Sequence, residues 1–378
     1  MINYGKHFID KSDIEAVSKT LQSNSLTQGT AVDKFESKIK SFFGSKYCVS
    51  TSSGTAALHL VMLALKSKKD DVIIATPMTF VASTNSVLYT NTSLELVDID
   101  KEYLTICIQS LKKKIAQIKK RKKKIKAVIV TDYGGQPAEW VELKKLSKKH
   151  KFFLINDNCH AMGSKYFGDR KYAIKYADFV IQSYHPVKTF TTGEGGSVLT
   201  NDIKFYKKIK SLRSHGIIRS EKDYWKYDIK ELGYNYRLSD IHASLGVSQL
   251  KKINKFIKKR REIAKTYDEE FKNIDGIILT KKKPKNINSY HLYFLRINFK
   301  KFKISKDQLI KKLIKKKIRP QVHYVPIHFF KLYKTIIKEK FKSTEQYYSE
   351  TISLPIYYQL KKKEIIYVVN SIKRILKI

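Results

Sequence analysis

Phe179-Val180-Ile181-Gln182-Ser183-Tyr184-His185-Pro186-Val187-Lys188, followed after Thr189-Phe190 by Thr191-Thr192-Gly193-Glu194-Gly195-Gly196-Ser197-Val198-Leu199-Thr200, is the stretch that orders the rest of the chain. The β-branched and aromatic run from Phe179 to Tyr184 reads as a buried strand, and Pro186 ends it in a turn. A Gly-rich turn and a second short strand from Ser197 to Thr200 follow. Lys188 is thereby pinned on a short loop between two buried strands, where desolvation favours the neutral amine of a Schiff-base nucleophile. The plainer reading is a solvated surface lysine, one of the 76 Lys and Arg residues of the chain. The neighbours of Lys188 single it out.

Working outward, residues 45–200 alternate short apolar runs with helical periodicity. Strands are expected at 46–50, 72–76, 94–98, 126–131, 152–156, 178–183 and 196–200, and helices at 54–66, 79–89, 103–118 and 139–149. Such alternation implies an α/β fold whose sheet is mainly parallel, with helices on both faces. Ligands of such sheets collect beyond the carboxyl ends of the strands. Ser53-Gly54-Thr55, Asp157 and Ser183 all fall at those ends. A long helix is expected from Ser239, with Asp240 close behind, to Arg261. Beyond about residue 256 the pattern changes, with a strand at 290–299, a helix at 307–317, a strand at 318–324 and a last helix at 361–378. This predicts a large domain over 1–255, with an N-terminal arm, and a smaller α+β domain over 256–378.

Composition excludes several classes. The chain has 378 residues, 42% of them hydrophobic, which suffices for a large core. No apolar run of membrane-spanning length and no signal-peptide core is present, so a cytoplasmic protein is expected. Cys48, Cys107 and Cys159 form an odd set without metal-type spacing, and no metal is expected. The net charge of +42 invites a nucleic-acid reading, but residues 1–110 are neutral and only 10 of the 76 cations are arginine. The Lys-rich run 112–126 follows Leu104, Ile106, Ile108 and Leu111 and reads as a surface helix with a loop. Neither nucleic acid nor a membrane is an expected partner. A positive field would still draw in a substrate carrying a diphosphate.

Several segments carry further chemistry. Ser52-Ser53-Gly54-Thr55-Ala56 is a strand end turning into a helix, where Gly54 permits close approach of an anion and the Thr55 and Ala56 amides point outward. An ordinary N-cap by Ser53 explains the same residues. Phe80 follows the second strand, and Asp157 ends Phe152-Phe153-Leu154-Ile155-Asn156. His160 sits just beyond, in Asn158-Cys159-His160. Gly233-Tyr234-Asn235-Tyr236-Arg237 precedes the long helix.

Together, the lysine motif, Ser-Gly-Thr-Ala, Thr79-Phe80-Val81-Ala82, Asp157 and Gly-Tyr-Asn-Tyr-Arg resemble the nucleotide-sugar aminotransferases of the DegT/DnrJ/EryC1/StrS type. These are pyridoxal-phosphate (PLP) enzymes of the aspartate-aminotransferase fold, and the His-Pro-Val-Lys form looks most like their pseudaminic-acid branch. The resemblance extends over nearly the whole chain, through Tyr4-Gly5, Leu26-Thr27-Gln28-Gly29, Arg213-Ser214-His215-Gly216 and Gln321 to His328. It implies that Lys188 is the PLP lysine and the general acid/base. Gly54, Thr55, Ala56 and Ser183 would hold the phosphate, Phe80 would stack on the ring, Asp157 would pair with the pyridine nitrogen, and His160 would lie beside the ring oxygen. Asn235 would reach the phosphate of a neighbouring subunit, which requires a homodimer with a shared active site. His185, Arg219, His323 and His328 would be available to the sugar or its diphosphate. L-Glutamate would be the amino donor and a UDP-linked 4-keto-6-deoxy-N-acetylhexosamine the acceptor, aminated at C4. The same chemistry on a perosamine-type or 3-amino sugar precursor is the alternative. Related dehydratases carry histidine where Lys188 stands. The family more often has Glu-Asp-Ala-Ala where this chain has Asn156-Asp157-Asn158-Cys159, and proline where it has Thr30.

Overall fold

The computed structural model describes residues 1–220, 222–223 and 225–378. Seven strands form the central sheet: β1 (Tyr47–Thr51), β2 (Asp71–Ala75), β3 (Ser93–Leu96), β4 (Lys124–Thr131), β5 (Phe153–Asp157), β6 (Phe179–Ser183) and β7 (Gly196–Thr200). Their order is β1-β7-β6-β5-β4-β2-β3, and β7 alone runs antiparallel to its neighbours. Alternate residues feed two cores. Val128, Val130, Leu154 and Val180 face one layer of helices, and Ala127, Ile129, Ile155 and Ile181 face the other. Burial on both faces explains why these strands read as unbroken apolar runs.

Three expected elements differ in their limits. The helix expected over 103–118 spans Ile108–Lys120. Asp100 competes for the preceding residues, its carboxylate accepting from the Glu102 and Tyr103 amides at 2.9 Å each, and Ile99 bridges to Ile106. The Lys-rich run begins in this helix, where Leu111, Ile115 and Ile118 are buried. Lys114 is buried with them, 2.6 Å from Glu339 and 3.4 Å from Glu95.

The helix expected over 239–261 is two helices, Asp240–Leu250 and Ile253–Phe271. At the break, Lys252 turns its amine onto Asp10 (2.6 Å) and Asp13 (2.7 Å). The strand expected over 318–324 shrinks to Ile318–Arg319, paired with Ile2–Asn3, because Pro320 has no amide to donate.

A separate core gathers Ile263, Tyr267, Phe271, Leu295, Ile352, Val368 and Ile372 around a three-stranded antiparallel sheet, Ile277–Ile278, Tyr293–Ile297 and Thr351–Leu354. The Ile253–Phe271 helix crosses between the two units. Ile253, Phe256 and Ile257 pack on the large core, and Ile263 onward pack on the small one. At the crossing, buried Arg260 donates to the carbonyls of Tyr290 (3.3 Å), His291 (3.1 Å) and Ile356 (2.9 Å). Among the described residues no helix is long and apolar enough to cross a membrane.

Asp240 shows how distant segments are tied to this frame. The Thr30–Phe43 helix starts at Gly29, which has no side chain to cap it. The Asp240 carboxylate accepts instead from the amides of Gly29 (2.7 Å), Ala31 (3.0 Å) and Val32 (3.2 Å). Replacing Asp240 by Ala leaves these amides without that acceptor, and we expect a loss of about 3 kcal/mol, read by urea unfolding. Asn at this position keeps one carbonyl oxygen and should lose less.

Candidate active site

The carboxyl ends of β1, β2, β4, β5 and β6 open into a cleft of about 550 Å³ whose far wall comes from the smaller unit. Ser53, Gly54, Thr55, Phe80, Asp157, His160, Ser183, His185, Lys188 and His323 all line it. Residues as far apart in sequence as Ser53 and His323 thus share one space.

The lysine loop is closed at its base. Thr191 donates its hydroxyl to the Tyr184 carbonyl (2.8 Å), the Thr192 amide donates to the same oxygen (3.0 Å), and the Tyr184 amide donates to Gly195 (2.8 Å). The Lys188 amide completes the turn to the His185 carbonyl at 2.9 Å. Burial lowers the Lys188 amine from its ordinary value of 10.5, partly offset by the nearby Cys159 and Asp157. The side chain keeps one face on the cleft.

Asp157 is buried and held at both oxygens. Ser83 donates its hydroxyl to Oδ2 at 2.5 Å, and the Cys159 amide donates to Oδ1 at 3.3 Å. Ser83 is itself 3.1 Å from the Thr79 hydroxyl, which lies 3.0 Å from that of Thr131. Neither Ser83 nor Thr131 stood out in the sequence, since short hydroxyl residues occur on every strand and helix.

The strand end that aims Asp157 is fixed from below by Asp132. This buried carboxylate accepts at Oδ1 from the Ala138 amide (2.8 Å) and the Trp140 indole (2.9 Å). At Oδ2 it accepts from the Asn156 amide group (3.1 Å), that of Asn158 (3.0 Å) and the Tyr172 hydroxyl (2.7 Å). Burial pushes its carboxyl up to about 6, against the pull of these donors. The two asparagines that flank Asp157, and that depart from the commoner Glu-Asp-Ala-Ala, thus serve one carboxylate. Asn158 also accepts from Gln182 on β6 at 2.7 Å.

Ser53, Gly54 and Gly196 form a close-fitting corner. A Cβ on Gly54 would lie 2.9 Å from Ser183 Cβ, and one on Gly196 would lie 2.5 Å from the Ser53 carbonyl carbon. The helix Gly54–Leu65 begins here with its outward amides toward the cleft. Ser53 caps it by accepting from the Ala56 amide at 3.1 Å. The expectation that this amide points free is therefore corrected, and the Gly54 and Thr55 amides head the helix.

Phe80 caps the next helix, Val81–Leu88, and is 50% exposed, so it does not pack into a helix core. Its ring faces that of Tyr324 across 5.7 Å. His160 lies against His291, the rings tilted with centroids 4.5 Å apart, and meets the Tyr324 hydroxyl at 3.0 Å. Burial holds His160 well below 6.5, and brings His323 down to about 3. Tyr4, His291 and Tyr324 are cleft residues that sequence reasoning missed. Only the spacing of a folded chain brings them to Lys188.

Besides Ala56, which is buried in its helix, three predicted site residues do not line the cleft. His328 is buried against Phe341 and pairs with Glu345 at 3.1 Å, away from the cleft. Asn235 is exposed on the loop that bridges to Ser214, and Arg219 lies on the hairpin of Ile217–Arg219 with Tyr227–Ile229. Arg219 lines a second groove with Lys207, Lys210, Arg213, His215 and Arg237.

Residues 7–373 match the model of the DegT/DnrJ/EryC1/StrS aminotransferase family. The chain is 38% identical, over 100% of its length and 98% of the relative's, to a Campylobacter jejuni protein named UDP-4-amino-4,6-dideoxy-N-acetyl-beta-L-altrosamine transaminase. Its fold is similar to that of Helicobacter pylori PseC, described as an aminotransferase involved in the biosynthesis of pseudoaminic acid. The TM-score is 0.93 at 33% identity, covering 100% of this chain and 99% of the other. Spr1654 of Streptococcus pneumoniae in its PLP form gives a TM-score of 0.89 at 26% identity, covering 100% of this chain and 98% of the other.

The Asp132 cluster yields a direct test. An Asn at 132 would lose the charge and one acceptor oxygen, while the Ala138 amide and the Trp140 indole can only donate. We expect Asp132→Asn to cost about 3 kcal/mol in urea unfolding, and Asn156→Ala, which removes one donor of five, to cost less.

Proposed function

The chain belongs to the DegT/DnrJ/EryC1/StrS aminotransferase family, and on that premise we propose that it is a PLP-dependent transaminase that moves the amino group of L-glutamate to C4 of a UDP-linked 4-keto-6-deoxy-N-acetylhexosamine. The observation that carries this reading is the convergence of Lys188, Asp157, Ser183 and a helix N-terminus on one cleft.

The residues present fit the cofactor. Gly54 and Gly196 let two strand ends and a helix start close into one corner, with the Ser183 hydroxyl and the first amides of the Gly54–Leu65 helix beside it. That corner suits a phosphate. Asp157 offers a carboxylate fixed at both oxygens to a protonated ring nitrogen. Phe80 has its ring free to stack on a planar ligand. Bound pyridoxal phosphate supplies the electron sink and carries the amino group between the two substrates.

Lys188 has two tasks in this reading. Its amine anchors the cofactor, and once released it takes up and returns the proton that moves in each half-reaction. Both need a neutral amine, and burial favours that form. His185 and His323 border the cleft and are placed for the sugar or its phosphates. Asn235 and Arg219, outside the cleft of their own chain, would complete that of a second copy, so the working form is a homodimer. A cytoplasmic site of action accords with the nucleotide-linked acceptor. The choice of sugar rests on the altrosamine transaminase of C. jejuni and on PseC.

The test is mass spectrometry of the UDP-linked 2-acetamido-2,6-dideoxy-4-hexulose after incubation with the enzyme and L-glutamate. We expect the 4-amino sugar together with 2-oxoglutarate. A yellow protein that bleaches with glutamate but gives no product would move the activity to a GDP- or dTDP-linked keto-sugar. Lys188→Ala should fold with an unchanged melting curve and lose turnover by at least about 1,000-fold, since anchor and proton carrier vanish together. Asp157→Ala should lower both cofactor retention on gel filtration and turnover, and parental behaviour would place the ring-nitrogen partner elsewhere.

A further inference from the structure

Tyr324 enters the cleft from the smaller unit, and its hydroxyl lies 3.0 Å from His160 Nε2. Which of the two gives the proton is settled on the opposite side of the imidazole. The Gly134 amide donates to His160 Nδ1 at 3.4 Å. A backbone N–H can only donate, so Nδ1 must be an unprotonated acceptor. The neutral ring then carries its proton on Nε2 and donates it to the Tyr324 oxygen. With an acceptor position of its oxygen so occupied, the phenol keeps its own proton for another partner.

The turn that sets this tautomer is tightly determined. Gly134 has φ +64°, and a Cβ there would lie 2.4 Å from the Phe294 ring. Only glycine therefore presents its amide to His160 in this way. Asp132, two residues earlier, is clamped by the donor cluster described above, and Tyr133 between them is stacked on Phe294 at 5.0 Å. Burial holds His160 neutral and keeps the Tyr324 phenol protonated.

We propose that Tyr324 is a further residue of the reaction site, whose hydroxyl, oriented by His160, donates a hydrogen bond into the cleft to an acceptor oxygen of the bound molecules. That oxygen is either the ring oxygen of the cofactor or the carbonyl oxygen of the keto-sugar. Either one gains from a donor that is fixed before it binds. Phe80 meets Tyr324 at 5.7 Å between ring centroids, and both border the cleft. This inference rests on the transaminase reading above for the identity of the ligand, but not for the direction of the proton.

The experiment has two parts. In the first, nitrogen-15 NMR of imidazole-labelled holoenzyme, assigned by loss of the His160 signal in His160→Gln, reports the tautomer. Protonated Nε2 and bare Nδ1 are expected. A proton on Nδ1 would mean that Tyr324 spends its own proton on His160, which overturns the proposal whatever the activity of the protein. In the second, Tyr324→Phe is compared with the parent in each half-reaction by stopped-flow absorbance. If the oxygen belongs to the sugar, the glutamate half-reaction and the cofactor spectrum stay unchanged and the keto-sugar half-reaction slows by about 10- to 100-fold. If it belongs to the cofactor, the pH midpoint of the holoenzyme spectrum moves and both halves slow. Parental behaviour in all these readings overturns the proposal. A parent protein that never takes up pyridoxal phosphate would instead refute the transaminase reading, and the tautomer measurement on that protein would still decide the Tyr324 assignment.

Discussion

The buried carboxylate of Asp132 is the constraint on which the site depends. It stands just past the end of β4 and gathers donors from both sides of Asp157 on β5. Through Asn158 the same cluster reaches Gln182 on β6. Three neighbouring strands are therefore locked at their carboxyl ends, where the chemistry sits. Burying a charge is costly unless each lone pair finds a donor, and five donors here meet that condition. The consequence is geometric. Asp157 cannot tilt without breaking contacts of its two neighbours, and Ser83 fixes what freedom its carboxylate retains.

A second constraint joins the two units across the cleft. The Ile253–Phe271 helix contributes to both cores, and Arg260 within it satisfies three carbonyls, two of them on the segment that carries His291. Burial lowers its guanidinium only to about 10, so it stays charged at neutral pH. Tyr133 donates its hydroxyl to the His323 carbonyl, and the Tyr324 amide rests on the sulfur of Met78. The wall built by the smaller unit is thus registered against the sheet at several points. For a reaction that needs a proton delivered at a set place, this rigidity matters more than the modest worth of each bond.

Much of this was legible in the sequence. The central strands of the large sheet were visible because burial on both faces leaves an apolar run, and the residues at their ends stood out by their polarity. The errors have a common cause, which is a side chain competing with the backbone or recruited from afar. Asp100 undid the start of one helix by capping its own turn, and Lys252 broke another by reaching Asp10 and Asp13. Asn156 and Asn158 stood out only as departures from the commoner pattern, because their partner Asp132 comes from the end of another strand. His328 carried the right chemistry in a suggestive motif, yet Glu345 holds it in the packing. Tyr324 and His291 could not be found from spacing, since the fold alone brings them beside His160.

The distribution of charge bears on how many chains make one site. Among the described residues lining the cleft, Lys188 is the single lysine or arginine. His160, His291 and His323 are held neutral by burial. A nucleotide diphosphate brings about two negative charges and would meet little there to balance them. The arginines are elsewhere: Arg213, Arg219 and Arg237 line a separate groove with Lys207 and Lys210, next to the loop that carries Asn235. Ile218, Tyr227, Ile229 and Leu232, on and beside the same hairpin, are all exposed. Arg213 is buried on Glu36, but Arg219, Arg237, the apolar edge and an asparagine with no role in its own cleft lie near one another. A second copy that buried the apolar edge would draw Arg219, Arg237 and Asn235 into the same interface. The shared-site homodimer proposed above would supply the cations that the cleft of one chain lacks.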